Sequence, residues 1–259
     1  AQGGAQANVP APTARMQVYQ KLRGGFGADP ALWWVSGVLW GKRSVGHAQI
    51  LLHVQGLHFV WLGVGQEGGV VQEMREAAIW SGPEGGPPIE TWTNPFNGLN
   101  CPPPHFSRRQ TLTFTASGGL KPPTEMDDIL KYAGGVAAPE IVGDTIWQGQ
   151  ALVMKTRVAE PAAGSDPLAY PGPVRTQTQT MTLQGARADI ETQRVQFTPA
   201  TISVQSLDSW PGWMRMGPTE GHVMLQLHGK KLAAPSEAPA ALLADFQARH
   251  PGWLQRKGA

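Results

Sequence analysis

Leu32–Gly41 reads LWWVSGVLWG, His47–Gly63 reads HAQILLHVQGLHFVWLG and Gly69–Trp80 reads GVVQEMREAAIW. Each run is rich in branched aliphatic and aromatic residues and is bounded by glycine-containing turn sequence, which is the pattern of successive β-strands. Their close succession predicts an antiparallel meander.

Working outward, Ala14–Arg23 places Met16, Tyr19 and Leu22 at helical spacing before Gly24 and Gly25. That predicts a short amphipathic helix that plugs or flanks the sheet. Residues 81–110 carry SGPEGGPP, NPFNG and CPPPH and read as loop, after which TLTFTAS resumes strand alternation. Thr124 is expected to cap a helix from Glu125 to Tyr132 with Met126, Ile129 and Leu130 on its apolar side. Further strands are predicted in DTIWQGQALVMKTRVA, in VRTQTQTMTLQGARADIETQRVQF with a hairpin at Gly185, in ATISVQSL and in GHVMLQLHGKKL. A closing helix is expected from Ser236 to His250, stopped by Pro251. About eight to ten strands with so few helices imply an all-β fold with minor helices. The expected architecture is an antiparallel, lipocalin-like or calycin-like barrel with short N-terminal and C-terminal helices, large enough to enclose one small ligand.

Composition sets limits on partners. The 259 residues are 41% hydrophobic and 15% charged with a formal net charge of +2, so a single core can form but no strong field exists to gather nucleic acid. No apolar run approaches the 18 or so residues of a membrane-spanning helix. The small, polar first residues, AQGGAQANVPAP, are expected to be a flexible leader over 1–13 that follows a signal-peptidase cut, with one barrel domain over 14–259. Cys101 is the single cysteine, which excludes an internal disulfide and leaves stability to packing. It sits beside three prolines with no obvious base and reads as an incidental thiol.

Common catalytic signatures are missing. Gly37 to Gly41 is one residue short of a phosphate-loop spacing, and no G-x-S-x-G, H-E-x-x-H or G-x-G-x-x-G is present. His53 and His58 stand an odd number of residues apart and face opposite sides of one strand, while His222 and His228 share a face but lie roughly 20 Å apart at strand rise. No metal and no cofactor are therefore expected.

Read together, KLRGG (Lys21–Gly25), WWVSGVLWG (Trp33–Gly41), Arg75-Glu76, ETWTNPFNG (Glu90–Gly98), WPGWMRMGPTEGH (Trp210–His222) and HGKKL (His228–Leu232) resemble a bacterial and fungal family. It is the one catalogued as domain of unknown function eighteen thirty-eight. The resemblance covers about residues 15–255 and implies a twin-arginine export signal and a periplasmic or secreted address, but no reaction. The chain departs from the family pattern at CPPPHFSRR after Asn94-Pro95, and at Trp80-Ser81-Gly82, where an aromatic followed by Arg-Asp is usual.

Candidate site residues follow from these motifs. Arg75 and Glu76 are adjacent in a strand, so one faces the lumen, where it binds or ionises a ligand, or else makes a structural ion pair with Lys21, Arg23 or Lys230. Asn94 suits a turn and Trp92 either packing or a ligand wall. His222, Met224, Gln226 and His228 share one face of their strand opposite Val223, Leu225 and Leu227. If that mixed face points inward, His222 is the best acid or base in the chain. Lys230 and Lys231 suit either an amine nucleophile or a solvated strand end. The ten tryptophans suit either core filling or a cavity walled by indoles for an aromatic, terpenoid or polyketide-like ligand.

The expectation is thus a cofactor-independent isomerase, lyase or cyclase acting on a hydrophobic small molecule, with His222, Glu76 and Arg75 catalytic. Trp34, His53, His58, Trp92, Asn94, Trp213, Met224 and Lys230 would bind substrate. A lipocalin-like carrier without chemistry is the alternative, and a homodimer is possible in either case.

Overall fold

The computed structural model describes residues 14–24, 29–123, 128–192, 197–249 and 251. The chain opens with α1 (Ala14–Arg23) and the meander β1 (Ala31–Arg43), β2 (Gln49–Val64) and β3 (Val70–Gly82). Short strands β4 (Gly85–Pro88), β5 (Trp92–Thr93) and β6 (Asn100–Cys101) decorate the following loop, and β7 (Phe106–Phe114) and β8 (Leu120–Lys121) extend the sheet. Next come β9 (Ile129–Val136), β10 (Glu140–Val142), β11 (Thr145–Arg157), β12 (Val174–Ala186), α2 (Arg187–Glu191), β13 (Thr201–Asp208), β14 (Gly221–Leu232) and α3 (Ala240–Arg249).

One twelve-stranded antiparallel sheet runs β10-β11-β12-β13-β14-β1-β2-β3-β7-β8, with β4 on β3 and β9 on β11. Its ends nearly meet. Gly119 bridges Gly135, and the Val136 N–H donates to the Gly118 carbonyl at 2.8 Å. The result is the nearly closed antiparallel barrel expected from the sequence, with few helices, and closure leaves little free edge. No helix among the described residues is long and apolar enough to cross a membrane.

Burial follows the strand period. In β13 the pattern alternates without a break, so that Ile202, Val204, Ser206 and Asp208 face in. Helix α1 closes one end of the barrel. Its Met16, Tyr19 and Leu22 are fully buried against Trp33, Val60, Phe114 and Leu183, all part of one apolar cluster. The Tyr19 hydroxyl lies 2.8 Å from Gln72 Oε1 and 2.6 Å from Gln150 Oε1 inside the barrel, with one proton to donate between them. At the other end the loops 83–105 and 209–219 form a second cluster around Trp80, Trp92, Trp210 and Met214. Helix α3 covers the outer face of β1, β2 and β3 through Leu242 and Phe246, which pack with Leu32, Leu57, Phe59 and Trp61.

Three element expectations are corrected. The expected helix Glu125–Tyr132 is strand β9 from Ile129 onward, and residues 124–127 lie outside the described residues. Pairing overrides local helix propensity there: β9 takes the edge of β11 from Ile129↔Thr156 to Val136↔Gln150. Gly134 and Gly135, at φ 144° and 153°, allow a close approach to the Ala151 and Gly118 carbonyls that no side chain could share. The hairpin expected at Gly185 is absent, because β12 runs on to Ala186 and α2 makes the reversal; residues 193–196 lie outside the described residues. The last helix begins at Ala240 rather than Ser236, with Pro235–Glu237 forming a separate 3₁₀ turn.

Lys231 locks α1 in place. Read from the sequence as either an amine nucleophile or a solvated strand end, it is 5% exposed, and its Nζ donates to the Lys21 and Gly24 carbonyls at 2.8 and 2.7 Å, where the helix terminus leaves acceptors open. Burial, and secondarily the Arg23 charge, pushes its pKa down to about 7. Only well above about pH 10.5 is the amine neutral in folded and unfolded chain alike. As pH falls toward 7 the unfolded chain takes up the proton first, so stability decreases through that window, by a few kcal/mol at about 1.4 kcal/mol per pKa unit. Urea unfolding at several pH values between about 7 and 10 is expected to show stability rising with pH, and Lys231→Met to flatten the slope. An unchanged slope in the variant would refute the assignment.

Candidate functional site

The barrel encloses a cavity of about 300 Å³ between α1 and the loop cap. This is at the lower end of the range for small-molecule sites. Most of its wall is aliphatic, from inward residues such as Val35, Val54, Met74, Met181, Ile202 and Leu227. Trp80 and Trp213 form an aromatic wall near the cap, with ring centroids 6.3 Å apart. Into this apolar space project Arg23, His58, Glu76, Arg108, Arg175, Ser206 and Asp208. Arg108 and Arg175 are exposed as well as cavity-lining, which places them at its opening.

Cross-strand register assembles the polar group. His58 on β2 pairs in register with Glu76 on β3, which in turn pairs with Arg108 on β7. The Arg108 Nε donates to Glu76 Oε1, and the other carboxylate oxygen lies 3.7 Å from His58 Nε2. Glu76 is 6% exposed, so this is a buried carboxylate held by one guanidinium and flanked by an imidazole. Burial, then the charges of Arg23 and Arg108, push His58 down to about 3. It is a neutral imidazole at physiological pH, with Nδ1 buried and without a hydrogen-bond partner among the described residues.

Asp208 faces this group from β13. The Ser206 hydroxyl, two residues back on the same face, donates to Asp208 Oδ2, while Oδ1 is buried without a hydrogen-bond partner among the described residues. Burial pushes the Asp208 pKa up, against the opposing pull of the Ser206 hydrogen bond and of Arg175 and Arg108. Arg108 thus pairs with one carboxylate and acts electrostatically on the other. A carboxylate of raised basicity with an unsatisfied lone pair in a mostly apolar cavity is equipped to accept a proton from a bound molecule.

The expected site residues divide sharply. Glu76, His58 and Trp213 line the cavity. Arg75 faces the opposite side of β3, where its guanidinium lies over Trp61 at 5.2 Å, because adjacent strand residues cannot share a face. His222, Met224 and Lys230 also point away from the lumen, since Val223, Leu225 and Leu227 take the inward positions of β14. Trp34 packs on the outer cluster that includes Leu232 and Leu242. His53 is on the outer face of β2, with Nε2 3.1 Å from the Pro83 carbonyl oxygen. Trp92 belongs to the cap, with its ring 5.9 Å from that of Trp213. Asn94, fully buried, spends its amide on the Met214 carbonyl and its Oδ1 on the Phe96 N–H, so it ties the two cap loops together as a turn residue. Cys101 is buried in the same cap, and burial raises its pKa, in keeping with an inert thiol.

Asp208, Ser206, Arg108 and Arg23 were not among the candidates. The alternation of ATISVQSLD already aligns Asp208 and Ser206 with Ile202 and Val204. Arg108 lies in the proline-rich stretch CPPPHFSRR, and Trp80 lies at the end of the run GVVQEMREAAIW. Among the described residues no cluster of three or more His, Cys, Asp or Glu side chains could hold a metal ion. Comparison of the chain with protein-family models and with curated proteins finds no match.

The largely buried imidazole, its side chain 12% exposed, makes a direct prediction. Because protonation of His58 is favoured in the unfolded chain at about pH 6.5 and in the folded chain only near 3, stability is lost as pH falls through that interval. The His58 C2–H resonance is expected to show no titration between about pH 5 and 8. A midpoint near the ordinary imidazole value would overturn the account of its burial.

Proposed function

We propose that the protein is a cofactor-independent enzyme of isomerase, lyase or cyclase type that carries out proton transfer on a hydrophobic small molecule held inside the barrel. The observation that carries this reading is the convergence of two buried carboxylates, Glu76 and Asp208, and a neutral imidazole, His58, on one mostly apolar cavity. A simple carrier of apolar ligands gains nothing from such groups, since each costs desolvation. Asp208 is the proton acceptor. Ser206 orients it, Glu76 holds Arg108 in the polar wall that places the substrate, and the Arg108 guanidinium and the open Nδ1 of His58 are the groups that can stabilise developing negative charge. Trp80 and Trp213 favour an aromatic or terpenoid body beside them. The resemblance in the sequence motifs supports a periplasmic or secreted address.

The test uses purified protein and a panel of aromatic and terpenoid compounds, with quenching of tryptophan fluorescence reporting binding and mass spectrometry or NMR reporting product. Asp208→Asn is expected to keep binding while turnover falls about a hundred-fold or more, the usual contribution of a positioned acid or base. Turnover that survives Asp208→Asn would refute the role of Asp208. Saturable binding with no product from the wild-type protein under any condition would replace the enzyme by a carrier.

A further inference from the structure

Arg23 stands at the end of the cavity that α1 closes. It is 3% exposed and lines the cavity wall. Its guanidinium lies over the Trp33 ring at 5.4 Å, and Nη2 contacts the Met74 sulfur at 3.0 Å, while Nε and Nη1 are buried without a hydrogen-bond partner among the described residues. No carboxylate among the described residues forms an ion pair with it; Glu76 is committed to Arg108. The Tyr19 hydroxyl is within hydrogen-bonding reach of the Arg23 guanidinium and also meets Gln72 and Gln150, which leaves Nε and Nη1 as the open donors.

The helix does not account for this charge. The open carbonyls at the end of α1 are taken by others: Lys231 Nζ holds those of Lys21 and Gly24, and the Trp33 indole N–H donates to that of Arg23 itself at 2.9 Å. Lys231 adds a second buried cation nearby instead of compensating the first. A buried guanidinium with two open donors is costly unless something with matching acceptors reaches it. A carboxylate is the planar acceptor that matches the guanidinium fork.

We propose that the cavity takes an amphipathic carboxylic acid, with its carboxylate seated on Arg23 and its apolar body extended between Met74, Met181, Ile202 and Leu227 toward the Trp80–Trp213 wall. This rests on the reading of the cavity as a ligand site and adds the chemical class of the ligand. It is independent of whether the ligand is turned over.

The test is isothermal titration calorimetry with 4-phenylbutanoate and its neutral isostere 4-phenylbutanamide. Wild-type protein is expected to bind the carboxylate about ten-fold tighter or more, the mark of a charge-assisted pair in a dry site. Arg23→Met is expected to bring the two affinities together while the amide still binds, and Arg23→Lys to restore part of the preference. Arg187→Gln, which removes an exposed cation on α2 that pairs with Glu191 and does not line the cavity, is expected to leave the preference in place. Equal affinity of the wild type for acid and amide, a preference that persists in Arg23→Met, or failure of the acid to saturate the wild type each overturns the inference, and the first of these needs no variant to fold. Product formation is not part of the readout: carboxylate binding through Arg23 without conversion of the probe leaves this inference standing, and the acid–base reading is decided separately by the turnover test above.

Discussion

The pairing of β1 with β14, from Leu32↔Leu232 to Arg43↔Gly221, joins the N-terminal meander to the C-terminal one, and every inward or outward position in the barrel depends on its register. Two glycines pin it. A Cβ on Gly37 would fall 1.8 Å from the Gln226 carbonyl oxygen, and one on Gly229 would fall 2.3 Å from that of Trp34. A slip of one residue would therefore press a side chain against backbone at both points, besides turning the aliphatic face of β14 to solvent. With the register so held, Val223, Leu225 and Leu227 meet the lumen, and His222, Met224 and His228 are carried outside.

This is why the barrel was legible in the sequence and much of its site was not. Strand runs such as LWWVSGVLWG and HAQILLHVQGLHFVWLG announce themselves through composition and turns, and the burial of Met16, Tyr19 and Leu22 follows from helical spacing alone. Alternation within a strand also separates His58 from His53 and Glu76 from Arg75 correctly. It does not say which of two faces is inside when both carry apolar residues, as in β14, and there the histidines drew the wrong inference. Where the first inward residues are clearly apolar and their neighbours polar, as Ile202 and Val204 are in β13, the same alternation extends to Ser206 and Asp208 and points to them. Strand β9 was missed for another reason: nothing local to Ile129–Val136 reveals that the edge of β11 is waiting to be paired.

The cavity also shows how a barrel without disulfides divides its interior. Apolar packing is concentrated at its two ends, around α1 and around the tryptophans of the cap, so the middle can hold ionisable groups that contribute little to stability. Glu76 is satisfied by Arg108 across a single strand pairing. Asp208 and Arg23 are not satisfied in the same way, and each leaves open hydrogen-bonding atoms in a buried setting. Groups of this kind persist in folded proteins when the surrounding structure is stable enough to hold them, and they concentrate where a ligand supplies the missing partner.

The positions of the open groups are opposed. Arg23 enters with α1 at one end, and Asp208 stands at the last residue of β13, near the exposed Arg108 and Arg175. An inward strand position every second residue, at about 3.3 Å per residue, sets the spacing along the wall between them. A molecule anchored by its carboxylate at Arg23 would therefore present the far part of its body, not the carbons next to the carboxylate, to Asp208. On the proposed reading, the proton is taken from a remote carbon activated by its own conjugation or unsaturation, a constraint on the substrate that neither end of the cavity would impose alone.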